Sequence, residues 1–178
     1  MNKQELRKEI KRRKQSFSDE QLSIKSLPII EKLSARINEL GAKNIIMYYS
    51  LPDEVDTHHA IDLLLKDNAN IYLPKVTGEG TMEIRRYEGK ESMREGAFGI
   101  MEPCGGVLHR YEDIDLIVVP GMAFDKNFNR LGRGKGYYDR FLAKTTNKKK
   151  IGICFDFQVV DSIPTEETDI RMDELIYQ

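Results

Sequence analysis

Cysteine is scarce in this chain, long apolar runs are absent, and neither sign of charge dominates. The two cysteines, Cys104 and Cys154, stand far apart and in no metal-like spacing. That excludes a disulfide framework and fits a reducing cytoplasm; both read as small buried side chains. No segment approaches the roughly 20 consecutive apolar residues that a membrane-spanning helix needs. The start, Met-Asn-Lys-Gln-Glu-Leu-Arg, lacks the apolar stretch of a signal peptide, so the expected compartment is the cytoplasm. With 28 Lys and Arg against 29 Asp and Glu, the formal net charge is -1. No global field therefore draws the protein to nucleic acid or membrane. His58, His59 and His109 show neither ligand nor triad spacing, and no Ser-His-Asp or Cys-His arrangement is available for nucleophilic catalysis.

What is present is ordinary globular composition, 40% apolar and 32% charged over 178 residues, the length of one domain spanning 1–178. Residues 3–17 predict a helix with Leu6, Ile10 and Phe17 on one stripe and Lys3, Arg7, Lys11 and Lys14 on another. Ser18-Asp-Glu-Gln21 is a capping box for a second helix that Gly41 stops, with Phe17 and Leu22 as its staple and a kink or restart expected at Pro28. Strands are predicted at Asn44 to Tyr49, at Ala69 to Leu73 ending at Pro74, at an edge through Met82, Ile84 and Tyr87, at Asp115 to Val119, at Ile151 to Phe155 and at Glu174 to Tyr177. A helix capped by Asp56 or Thr57 runs through Ile61, Leu64 and Leu65, and residues 89–113 read as a long loop region. Strands alternating with helices imply an α/β layered fold with a mainly parallel sheet. Ligands in such folds bind beyond the carboxyl ends of the strands, so the loops after Tyr49, Pro74 and Pro120 should converge.

The most informative segment is 120–142, where Gly132, Gly134 and Gly136 alternate with Arg133 and Lys135 just after Arg130 and Leu131. Glycines let a ligand approach the backbone, and adjacent cations repel unless an anion lies between them. A helix-compatible run, Tyr137 to Lys144, follows and would aim its first N–H groups and its dipole at the same place. The spacing is neither Walker A nor the Rossmann fingerprint, so the reading is a phosphate pocket of its own kind. Of Tyr137 and Tyr138, about 100° apart on a helix, one should face that pocket and the other join Phe141 and Leu142. Asp139 suits either a magnesium ligand beside phosphates or a partner for Arg140 or the dipole. Lys3 and Arg7 share a helix face, Glu54 sits in a loop after a strand, and Asp169 lies in an acidic stretch. The residues alone also allow a binding module without turnover, or an enzyme acting on a sugar phosphate or CoA ester.

Read together, the chain resembles the 5-formyltetrahydrofolate cyclo-ligases, also called methenyltetrahydrofolate synthetases. The resemblance rests on Pro-Gly-Met-Ala-Phe-Asp at 120–125 and Arg-Leu-Gly-Arg-Gly-Lys-Gly-Tyr-Tyr-Asp-Arg at 130–140. Lys3-x-x-Leu6-Arg7, Asp53-Glu54, Phe98-Gly-Ile-x-Glu102-Pro103 and Thr168-Asp169-Ile-x-x-Asp173-Glu174 support it in the family's order. It implies ATP- and magnesium-dependent cyclisation of 5-formyltetrahydrofolate to 5,10-methenyltetrahydrofolate through a phosphorylated formyl intermediate, with ADP and phosphate released. The implied fold is a three-layer α/β sandwich like that of ribose-5-phosphate isomerase and CoA transferases, and the implied state is a monomer. By position, Lys3, Arg7 and Arg130 to Tyr138 match ATP-binding segments. Arg7, Tyr49, Glu54 and Arg133 to Tyr137 match folate contacts. Arg133 and Lys135 are the implied catalytic cations, Asp139 and Asp169 the implied magnesium positions, and Asp125 matches a family aspartate without an assigned role.

Overall fold

A computed structural model describes residues 1–96 and 99–178; Phe98 of the quoted motif lies outside them. The chain opens with α1 (Lys3–Lys14), closed at its start by a capping box between Asn2 and Glu5. It ends at Lys14 rather than 17, because Ser16 and Phe17 turn back onto Arg13 and Lys14 carbonyls before the next cap. Lys14 belongs not with the exposed cations but on the buried line of Leu6 and Ile10. α2 (Asp19–Leu40) carries the expected Ser18–Gln21 box and ends at Gly41, whose φ of 61° suits a glycine. It runs through Pro28 without a restart. The carbonyl that Pro28 cannot bond belongs to Ile24, a residue 61% exposed, so water can take it.

The central sheet has the order β11-β9-β6-β1-β2-β3 and is parallel except for the β2–β3 hairpin. Its strands are β1 (Asn44–Ile46), β2 (Asn70–Gly78), β3 (Thr81–Arg86), β6 (Leu116–Val119), β9 (Lys149–Cys154) and β11 (Glu174–Tyr177). Alternation divides the core. Ile45, Leu116, Val118, Ile151 and Ile153 face α2 and α3 (His58–Lys66), while Ile46, Ile117, Val119 and Cys154 face the opposite side. There they meet Phe141 and Leu142 of α4 (Tyr137–Leu142) and Phe124 of β7 (Ala123–Asp125). Helices and a small sheet thus cover the two faces of the central sheet, the three layers expected.

β2 continues past Pro74, contrary to the expected end. Tyr87 N–H bonds Ile71 C=O, so even-numbered residues of β2 point their N–H positions away from β3. β1 pairs only as far as Tyr72, and the missing N–H of Pro74 therefore faces no strand. Two residues on, the Val76 N–H finds the carboxylate of Glu102 at 3.1 Å. Glu102 lies on a hairpin of β4 (Met93–Glu95) and β5 (Met101–Pro103), elements inside the region read as loop. Cys104 is exposed, against expectation, whereas Cys154 is buried and its thiol is pushed up to about 12 by burial.

A second sheet escaped the sequence reading: β7, β8 (Arg130–Leu131) and β10 (Val159–Val160) in the order β10-β7-β8. Leu6 and Ile10 of α1 pack on its Ala123 and Leu131, forming a third core with Met122 and Ile163. Asp125 supplies its anchor. One carboxylate oxygen accepts from the N–H groups of Asn127 and Asn129 at 2.9 and 3.0 Å. The other accepts from the Asn129 side chain and the Ile163 N–H, both at 2.9 Å.

Burial works against the charge of Asp125, but Asn129 and these N–H groups outweigh it and hold the carboxyl below the usual range. Its stabilisation is present above the unfolded value near 3.9 and is lost as pH falls through the lower folded value. Asp125→Asn should lower the unfolding free energy by about 2 kcal/mol at neutral pH, since an amide cannot accept all four bonds. Urea titrations of the variant should also show a flatter pH dependence below about pH 5.

Candidate functional site

β1 leads through α3 to β2 and β3 on one side of the sheet, and the chain then returns to β6 on the other side of β1. The crevice between the ends of β1 and β6 is thus the topological switch point. Two cavities open there. The first is an apolar cleft of 330 Å³ walled by Tyr48 and Tyr49 after β1, Pro74 and Met82 from the β2–β3 hairpin, Pro120 after β6, and Tyr137 and Tyr138. The chain after Tyr49 and after Pro120 does converge here, but at Pro74 the wall is the continuing strand β2 rather than the expected loop. The second is a polar cavity of 710 Å³ lined by Lys3 and Arg7 from α1, Gly134 and Arg140, and Thr168 and Asp169 near the end of the chain. Arg130, Gly132, Gly136 and Asp139 border both.

Arg130 is the most deeply buried cation of this wall, its side chain 3% exposed. Its Nη2 donates to Asp139 Oδ1 at 2.7 Å and its Nη1 to the Pro120 carbonyl at 3.2 Å. The guanidinium also lies 5.6 Å from the ring centre of Tyr138, which meets Phe141 edge-on at 6.4 Å. Among the described residues, Arg130 Nε is buried with no protein acceptor. A buried donor of that kind costs about 1–3 kcal/mol unless something supplies an oxygen.

On the cleft side, Arg133 reaches Asp53 at 2.7 Å and Glu54 at 2.9 Å. Glu54 also accepts the Leu51 N–H at 3.0 Å and is only 12% exposed, so its carboxylate is held rather than solvated. Beneath them Lys14 donates to the Asp53 carbonyl at 2.6 Å and to its carboxylate at 3.0 Å. Burial lowers the Lys14 pKa, with Asp53 acting against it. Burial likewise opposes the charges of Arg133 and Asp53, but pairing wins: Glu54 and Asp53 raise Arg133, and Arg133 with Lys14 lowers Asp53. Tyr49 stacks on His58 with centroids 3.8 Å apart.

On the polar side, Lys3 holds Asp169 at 2.7 Å and Glu166 at 3.1 Å, and Arg7 Nε donates to the Gly132 carbonyl at 2.8 Å. Asp139 pairs with Arg130 and not with Arg140. α4 is only six residues long and starts at a left-handed Gly136, so the expected helix dipole contributes little beside these cations. Among the described residues no group of three His, Cys, Asp or Glu is placed to hold a metal.

The model of the 5-formyltetrahydrofolate cyclo-ligase family matches residues 1–178. The chain belongs to that family. It is 30% identical to the 5-formyltetrahydrofolate cyclo-ligase of Mus musculus, covering 99% of this chain and 93% of that one. It is 31% identical to the enzyme of the same name from Haemophilus influenzae, over 98% of this chain and 96% of the other. The solution structure of 5,10-methenyltetrahydrofolate synthetase from Aquifex aeolicus superposes with a TM-score of 0.86 at 36% identity, covering 99% and 90% of the two chains.

Apart from Arg130, Gly132, Gly136 and Asp139, which border both, the cyclo-ligase positions expected from sequence divide between the cavities. Tyr49, Glu54, Arg133, Lys135 and Tyr137 border the apolar cleft, together with Tyr138. Lys3, Arg7, Leu131, Gly134 and Asp169 border the polar cavity. Arg7, expected at both ligands, lines only the polar cavity, and Arg133 and Lys135 lie on the cleft side. Tyr48, Met82 and the supporting Lys14 were missed, and Glu102 entered only as part of a motif without a role. Their side-chain types carry no signal apart from the topology that brings them together.

Asp139→Asn should leave the buried Arg130 charge uncompensated and lower stability by about 3 kcal/mol in urea unfolding. An unchanged midpoint would mean that the Pro120 carbonyl and Tyr138 alone hold the guanidinium.

Proposed function

We propose that the chain catalyses the ATP-dependent cyclisation of 5-formyltetrahydrofolate to 5,10-methenyltetrahydrofolate, with the folate in the apolar cleft and the nucleotide's phosphates in the polar cavity. The observation that carries this is the shared wall: two cavities of opposite chemistry meet at Arg130, Gly132, Gly136 and Asp139. Flat rings suit Tyr48, Tyr49 and Tyr137, and the Glu54 carboxylate can accept from a heterocycle's N–H and amino groups. Phosphate oxygens suit Lys3, Arg7 and the glycine N–H groups.

In this reading the formyl oxygen attacks the γ-phosphorus at the wall and ADP leaves. N10 then adds to the same carbon, its proton is released, and phosphate departs with the carbon–oxygen bond. No protein nucleophile is needed, because the reaction depends on positioning and charge stabilisation. Arg130 borders both cavities and would stabilise charge on the oxygen that passes between them, with Lys135 on the cleft side. Glu54 and Arg133 position each other at the pterin end.

Asp139 and Asp169 border the same polar cavity, a donor set that fits magnesium held by one or two carboxylates plus phosphate oxygens. Magnesium bound with the nucleotide would neutralise phosphate charge. Residues 1–178 would act as a single cytoplasmic domain and as a monomer on small molecules, without nucleic acid. No helix among the described residues is long and apolar enough to cross a membrane.

Purified protein given magnesium, ATP and 5-formyltetrahydrofolate should develop the near-ultraviolet absorbance of the methenyl product, and no such product would overturn the proposal. Lys135→Ala should reduce kcat on the order of 10²-fold while the unliganded protein remains folded. Chelation of magnesium should abolish turnover, and restored magnesium should recover it.

A further inference from the structure

We infer that Arg140 is a positioning residue of the phosphate cradle, fixing the direction of the Gly136 N–H and tying the cradle to the β2–β3 hairpin. The inference rests on the polar cavity being the nucleotide site. Arg140 is an exposed arginine on a short helix, which composition alone reads as solvated. Its contacts are different. Nε donates to the Gly80 carbonyl at 2.7 Å and Nη2 to the Lys135 carbonyl at 2.6 Å. The guanidinium lies over the Tyr137 ring, 6.0 Å from its centre, and Tyr137 donates its hydroxyl to the Gly78 carbonyl at 3.3 Å. One planar fork therefore joins the hairpin tip to the glycine loop, a geometry that a lysine's single ammonium cannot copy.

The neighbouring glycines are shaped around this group. Gly80 and Gly136 have φ values of 75° and 69°. A Cβ at Gly80 would lie 2.5 Å from Nη2, and one at Gly136 would lie 2.8 Å from Nη1. Both positions need glycine for backbone conformation and for the space that Arg140 takes.

The consequence follows from the peptide bond. In a planar trans peptide the C=O and the next N–H point in opposite directions. Holding the Lys135 carbonyl on Arg140 therefore turns the Gly136 N–H away from it. Among the described residues that N–H donates to no protein acceptor, and Gly136 borders both cavities. Arg7, holding the Gly132 carbonyl, directs the Arg133 N–H by the same rule. Release of Arg140 would free the 135–136 peptide to rotate and would remove a fixed donor for phosphate oxygen.

The test compares Arg140→Gln and Arg140→Lys with the wild type. Loss of one fixed donor should raise the KM for ATP on the order of tenfold in Arg140→Gln. The dissociation constant for 5-formyltetrahydrofolate without ATP, and the unliganded melting temperature, should hold steady. Arg140→Lys, with one point charge for two carbonyls, should recover only part of the loss. An unchanged KM for ATP in Arg140→Gln would overturn the inference. So would a fall in melting temperature with both ligands weakened in parallel, the signature of a brace rather than a positioning residue. Wild-type protein that binds neither ligand would sink the functional reading and this inference together; wild-type binding with an unaltered variant would sink the inference alone.

Discussion

A guanidinium taken out of water must be surrounded by acceptors, and the placement of Arg130 shows how much of the fold answers that demand. Its charge is met by Asp139 from α4, the carbonyl of Pro120 from the end of β6, and the face of Tyr138. Two partners come from α4 and one from the end of β6, so the pairing locks β6, β8 and α4 in one arrangement. Close approach is also required of the backbone. A Cβ at Gly121 would lie 2.6 Å from the Phe124 ring and 3.3 Å from Arg130 Cγ, and one at Gly152 would lie 2.6 Å from the other side of that ring. Phe124 is thus sandwiched between two glycines, which lets the small sheet come down on the central one and carry Arg130 into the crevice.

α1 performs the complementary task from outside. Twelve helical residues rise about 18 Å, enough to reach across the site. Its first turns present Lys3 and Arg7 to the polar cavity, its middle buries Leu6 and Ile10 on the small sheet, and its last residue props the Asp53–Glu54 loop. Lys14 is a costly choice for that last position, since burial disfavours its charge. Yet a methylene stem with a donor at its tip can cross an apolar layer and still hold a backbone carbonyl. The result is that movement of α1 would disturb both cavities at once.

The frame was legible because its signals are local and repeated. Ile45/Ile46 and Leu116 to Val119 alternate between two buried faces, and Ser18–Gln21 and Gly41 bound a helix by cap chemistry alone. The small sheet was not legible. β7, β8 and β10 have three, two and two residues, too few for a period to show, and the Asp125 carboxylate at the end of β7 anchors them through Asn127, Asn129 and the sequence-distant Ile163. Pro74 misled because its tolerance depends on where β1 stops pairing, and Lys14 because a buried lysine looks like any other cation on a helix stripe. At the site, the glycine–cation segment pointed to the wall that the two cavities share. Its division into two cavities depends on which way each side chain turns, and the cations turned differently from expectation: Arg133 toward carboxylates, Arg140 toward carbonyls.

That last difference bears on how the site works. Three arginines, Arg7, Arg130 and Arg140, each donate to a carbonyl of the 120–136 segment. A flexible glycine loop in water would spend its N–H groups on solvent and would have to reorganise around each ligand. Capturing the carbonyls from one side orients the opposing N–H groups before any ligand arrives, so less ordering is left to be done when an anion binds. The same cations that raise the local potential thereby set the direction of neutral donors. Glycine supplies the conformations, and arginine selects among them. The arginines that hold these carbonyls flank the alternating segment or come from α1, while Arg133 within it is turned toward Asp53 and Glu54.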